Sequence, residues 1–157
     1  MIQEDKDLLM KDLSARLPYG LKGTVGIEVS TGEYSIESGH LLFMEKEIVV
    51  ELLGINKDTE EIEVYSLDNN IDLSEYDYII DDFKPYLRPL SSMTEEEVKE
   101  FYDVECIDAK VAYIKPTWNW HFTINGIDWL NANHFDYRGL IPKALAIEVT
   151  KENNPYK

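Results

Sequence analysis

The sequence predicts an α+β fold: an N-terminal helix, a small mainly antiparallel sheet or SH3-like partly open barrel, and a C-terminal helical and aromatic subdomain. Three observations carry this expectation. Apolar residues recur at helical spacing near the start, alternate with polar ones from Lys22 onward, and then return after Pro89 in a helix followed by a dense aromatic cassette. The length of 157 residues and 44% hydrophobic content suit one domain over 1–157, with a helix-plus-sheet part at 1–90 and a helical, aromatic part at 91–157.

Leu9, Met10, Leu13 and Leu17 form the stripe of an amphipathic helix over Gln3 to Leu17, with early acids and Arg16 suited to the helix dipole. Pro18-Tyr19-Gly20 stops it. Val25, Ile27 and Val29 then alternate with polar neighbours as a strand, and Thr31-Gly32 is expected to turn into a short run around Tyr34 and Ile36. After Ser38-Gly39 and Leu41-Leu42-Phe43, the clearest hairpin pairs Ile48–Ile55 with Glu61–Leu67 around Asn56-Lys57-Asp58-Thr59. Tyr76 to Ile80 supplies a last strand of this half.

Asp81 to Pro89, with two prolines and two aromatics, reads as a short helical turn and an extended hinge between halves. Thr94 and Glu97 form a capping box for a helix over about Glu95 to Asp103 that buries Val98, Phe101 and Tyr102. Val111–Ile114 and the alternating Trp118, Trp120, Phe122 and Ile124 predict strands. Asn125-Gly126 is read as a turn into a short helix carrying Trp129, Leu130 and Phe135, capped by Asn125 or Asp128. Leu145, Ile147 and Val149 return as an edge or inserted strand.

Charge narrows the function classes. Fifteen Lys and Arg against 31 Asp and Glu give a formal charge of −16, which opposes direct binding to nucleic-acid backbones. Basic protein surfaces, including nucleic-acid grooves open to an acidic mimic, and cations held by carboxylates are compatible with it, as is simple solubility. The single cysteine, Cys106, excludes an internal disulfide and suggests a reducing cytoplasm. The acidic N-terminus lacks the basic start of a signal peptide, and no run approaches the ~20 apolar residues of a membrane span.

No complete catalytic motif is present, and no cofactor is expected. His121, His134, Asp128 and Asp136 are the residue types of a divalent-metal site, but they lack His-x-x-x-His or cysteine-pair spacing. Cys106 lies between Glu105 and Asp108, whose charge opposes a thiolate. Gly20, Gly23 and Gly26 match no phosphate-loop pattern. Asp136-Tyr137-Arg138-Gly139 suggests an arginine paired with Asp128 or Asp136 and stacked on a ring, holding the cassette as a knot. The alternative is a polar pocket, which makes Trp129, His134, Asp136, Tyr137 and Arg138 the candidate binding residues.

Ala15-Arg16-Leu17-Pro18-Tyr19-Gly20, Lys84-Pro85-Tyr86-Leu87-Arg88-Pro89-Leu90-Ser91-Ser92-Met93-Thr94-Glu95-Glu96 and the run from Asp128 to Ile141 cover about a fifth of the chain. Together they resemble a family of small acidic proteins of gut Bacteroidales and of their phages or mobile elements. The stretch between the first two blocks is longer and more divergent here. The resemblance implies a bacterial or phage cytoplasmic setting and assigns no catalytic residue. The functional expectation is a non-enzymatic accessory or protein-binding module with a basic partner and no membrane. The alternatives are a small metal-dependent hydrolase using His121, His134, Asp128 and Asp136, and an acidic nucleic-acid mimic that acts as an inhibitor.

Overall fold

The chain begins with α1 (Gln3–Arg16) and a 3-10 turn (Leu17–Tyr19), after which Gly20 takes a φ of +63° and turns the backbone into the sheet. The computed structural model describes residues 1–35, 38, 40–105 and 122–157. Four strands follow: β1 (Lys22–Tyr34), β2 (Leu41–Ile55), β3 (Glu61–Ser66) and β4 (Tyr78–Ile79). A 3-10 turn (Ile80–Asp82) leads into β5 (Lys84–Pro89), and then come α2 (Glu95–Glu105), α3 (Ile124–Ala132), β6 (Phe135–Asp136) and β7 (Ile147–Glu148). The N-terminal helix, mostly antiparallel open sheet and C-terminal helix with its aromatic cluster make an α+β protein.

The strand order is β4-β3-β2-β1-β5-β6, with β7 also pairing β5. Because β4 and β5 lie at different ends of the antiparallel strip yet are joined by only residues 80–83, the strip bends back upon itself. Its concave face carries Val25, Ile27, Ile48, Val50, Leu52 and Ile62 into one core with Leu9 and Leu13 of α1, Ile80, Phe83, Leu87, Leu140 and Leu145. The expected hairpin is present, with Ile55 opposite Ile62; Asn56 Oδ1 closes its turn by accepting from the backbone N–H groups of Asp58 and Thr59. The capping box of α2 is also present, with Thr94 N–H donating to Glu97 at 2.9 Å and Glu97 N–H to Thr94 Oγ1 at 3.2 Å.

Four expectations are corrected. Thr31-Gly32 is not a turn: β1 continues to Tyr34, because β2 supplies a ladder partner as far as Ser30 opposite Phe43 and Tyr34 opposite Leu41. Gly32 absorbs the irregularity between them at φ +76°. The separate runs at Leu41 and Ile48 are therefore one 15-residue strand. Asp81 to Pro89 is no hinge: its extended part is β5, which joins β1 antiparallel and β6 and β7 in parallel. Residues Val98, Phe101 and Tyr102 of α2 are not fully buried, and the buried position is Glu105 at its end. The strand expected at 111–114, Trp118, Trp120, His121 and Cys106 lie outside the described residues.

The β1–β5 junction depends on Gly23, which sits opposite Pro85. A methyl group there would run into Phe83 Cζ and approach the Lys84 carbonyl oxygen at 2.6 Å, so only glycine lets the closing strand draw in. Gly23→Ala is expected to lower stability by about 1–3 kcal/mol, the usual range for overpacking. Urea unfolding measures this directly, and an unchanged midpoint would contradict the tight junction.

Candidate functional site

The aromatic cassette starts from a carboxylate on another helix. Thr123 caps α3 by accepting from Gly126 N–H at 3.1 Å, and its own N–H and hydroxyl donate to the buried Glu105 carboxylate at 3.0–3.1 Å. Asn125 and Asp128 do not cap. Asn125-Gly126 lies inside the helix, because Gly126 is needed for close approach: an added Cβ would overlap the Glu105 carboxylate. The asparagine-glycine pair reports α2–α3 packing rather than chain reversal.

The five candidate binding residues are each held by internal contacts. Trp129 is half-buried and stacks on Phe135 with ring centroids 5.6 Å apart, while Arg88 lies over the other partner of that stack, 4.2 Å from the Phe135 centroid. Arg88 also forms a two-pronged bond to Glu97 at 2.7 and 2.8 Å, which holds that carboxyl below its usual pKa. His134 adopts a φ of +57°, is buried, and stacks on Tyr156 at 4.0 Å. Asp136 accepts from the N–H groups of Leu140 at 2.9 Å and Ile141 at 2.8 Å, fixing the loop that follows β6. Tyr137 donates to Asn131 Oδ1 at 3.0 Å, and its ring lies under both Arg16 and Arg138.

Arg138 does not pair with Asp128 or Asp136. Its Nη1 lies 3.5 Å from Asp12 on α1, since Asp136 is already engaged by two backbone amides and Asp128 is exposed on α3. Asp12 also receives Arg16 Nε at 2.6 Å and Nη2 at 3.1 Å, and Arg16 Nη2 donates to the Phe135 carbonyl at 2.8 Å. Asp12 and Arg16 are both fully buried. In the sequence Arg16 stands as a helix-end charge four residues after Asp12; that i, i+4 spacing signals the pair, but burial is not encoded in it.

Burial, helped by Arg16, Lys22 and Arg88, pushes the His134 pKa down to about 4, leaving the ring neutral at pH 7. Asp128, His134 and Asp136 therefore have different surroundings and tasks, and His121 lies outside the described residues. Among the described residues, no group of three or more His, Cys, Asp or Glu is arranged to hold a metal.

The other concentration of chemistry lies on the convex face of the sheet. Strand parity puts Glu28 of β1, Glu45, Glu47 and Glu51 of β2, and Glu61 and Glu63 of β3 there, all exposed except half-buried Glu51. Glu28 stands directly opposite Glu45. Phe43 and Tyr65 share this face and are 59% and 54% exposed, enough to present aromatic surface among the carboxylates. At one margin a groove of about 400 Å³ adds Asp77, Asp81 and Asp82 to Glu45 and Glu47, with Lys84 as its cation. The alternating glutamates were visible in the sequence, but their shared face required the β1–β2–β3 register.

Comparisons of the chain with protein-family models, curated proteins and solved structures find no match. No helix of the described residues is long and apolar enough to cross a membrane.

The unfolded histidine takes its proton near pH 6.5 and the folded one only near 4, so acid favours the unfolded chain across that interval. Stability contributed by neutral His134 is thus lost as pH falls from 6.5 toward 4, by up to about 3 kcal/mol at ~1.4 kcal/mol per pKa unit. His134→Asn tolerates the left-handed backbone but removes the titrating ring. The variant is expected to be less stable at pH 7, with its deficit shrinking toward pH 4 in urea titrations. A deficit constant with pH would refute this linkage.

Proposed function

We propose that the protein is a non-enzymatic binding module whose convex sheet face engages a basic protein surface. The observation carrying the proposal is the Glu28–Glu45 cross-strand pair within a larger glutamate array. Like charges directly opposite destabilise a sheet, by roughly 0.2–1 kcal/mol on the scale of cross-strand pairs. Their presence is accounted for when lysine and arginine side chains of a partner approach, neutralise the carboxylates and lay their stems or cationic ends on Phe43 and Tyr65. The resemblance of the three sequence blocks supports a bacterial, phage or mobile-element setting for this interaction.

A second reading is favoured by spacing. Alternate residues on a strand are about 6.8 Å apart, so Glu45/Glu47 and Glu61/Glu63 form charge pairs with a repeat near that of successive phosphates on one DNA strand. This supports an acidic mimic for which the basic partner surface is itself a nucleic-acid groove. The hydrolase reading gains no comparable support: His134 is covered by Tyr156, and both Asp136 oxygens accept backbone amides.

Immobilised wild-type protein and the Glu28→Gln/Glu45→Gln/Glu47→Gln/Glu63→Gln variant provide the test, with retained host proteins identified at low and high salt. Basic proteins are expected on the wild type at low salt and lost from the variant, even though relief of repulsion leaves the variant's melting temperature equal or higher. Retention of the same proteins by both would overturn the proposal. Displacement of a retained partner by duplex DNA distinguishes the mimic reading from other basic docking.

A further inference from the structure

On a chain of formal charge −16, one open groove of about 580 Å³ has the opposite character. It lies beside α1, where Lys11, Lys57 from the β2–β3 turn and Arg138 from the loop after β6 face a single lining carboxylate, Asp7. Lys11 and Lys57 are exposed and enter no ion pair among the described residues. Asp7 accepts from the Gln3 side-chain amide at 2.8 Å.

Ser14 and Arg138, which line the groove, each carry a buried polar atom without a hydrogen-bond partner, Ser14 Oγ and Arg138 Nη1, the latter facing the buried Asp12 carboxylate. Arg138 Nη1 lies 3.5 Å from Asp12 Oδ1, but it shares that single carboxylate with Arg16, which bonds both of its oxygens. With Arg16 matched by Asp12, the groove retains three cations to one carboxylate.

We propose that this groove binds a phosphate group. Its surplus of two positive charges matches the charge of about −1.5 to −2 that a phosphate monoester carries near neutral pH, whereas a simple carboxylate supplies one. Lys11 and Lys57 provide mobile charge, and the Arg138 guanidinium provides a planar fork beside them. Met10 and Ala15 complete a less polar wall beside which the organic part of a monoester can rest. This site lies on α1 and the β2–β3 turn and does not depend on the acidic sheet face.

The full chain is titrated with inorganic phosphate, phosphoserine and acetate in parallel at constant ionic strength, following backbone and arginine side-chain NMR signals. Phosphate or phosphoserine is expected to give saturable shifts at Lys11, Ser14, Lys57 and Arg138, with acetate giving none. Tighter phosphoserine binding assigns a monoester ligand, and equal affinity assigns free phosphate. Lys11→Ala/Lys57→Ala, at two exposed positions, is expected to keep the wild-type melting temperature and bind at least about tenfold more weakly, equivalent to ~1.4 kcal/mol. Linear shifts without saturation, an equal response to acetate, or unchanged affinity in the double variant would overturn the proposal.

Discussion

The buried carboxylate of Asp12 is the point on which the two ends of the chain depend. It binds Arg16 within α1, and Arg16 in turn donates to the Phe135 carbonyl 119 positions away. Arg138 approaches the same carboxylate from the cassette. Removing charges from water is costly, so such a cluster is weak evidence for net stability, but removing its acid leaves positive charge without compensation. Its physical effect is to fix α1 against β6 and the loop beyond it, while Tyr137 presents its ring to both guanidiniums.

Around that anchor, aromatic and backbone contacts consume most of the cassette's chemical groups. Trp129, Phe135 and Arg88 form a stacked sequence, His134 rests on Tyr156, and Tyr156 donates to the Tyr86 carbonyl at 3.0 Å. These contacts tie the tail to β5, the strand through which both halves of the chain are joined. Among the described residues, the exposed charged groups include those of the convex glutamate face and of the groove beside Arg138. The same fold thus holds its His134 imidazole neutral inside and presents carboxylates outside.

Locally encoded features were legible in the sequence. Leu9 and Leu13 gave the buried side of α1, Thr94 and Glu97 gave the start of α2, and Asn56 marked the β2–β3 turn; in each, the decisive contact lies within a few residues. Gly23, Gly32 and Gly126 were harder because glycine alone does not state whether it serves a turn, a bulge or close packing. Here Phe83, the unequal β1–β2 ladder and Glu105 respectively decide. The partner of Arg138 was equally remote, since Asp12 is separated from it by most of the chain. The glutamate array was present as alternating letters, but a shared face arises only after three strands acquire their register.

The central structural claim is that Asp12 joins α1 to the cassette as a buried counter-charge. Urea unfolding of Asp12→Asn, compared with wild type at pH 7, tests it most directly. The expected loss is about 3–5 kcal/mol, the range for removing one partner from a buried ion pair. A loss below about 1 kcal/mol, typical of an exposed pair, would contradict the claim.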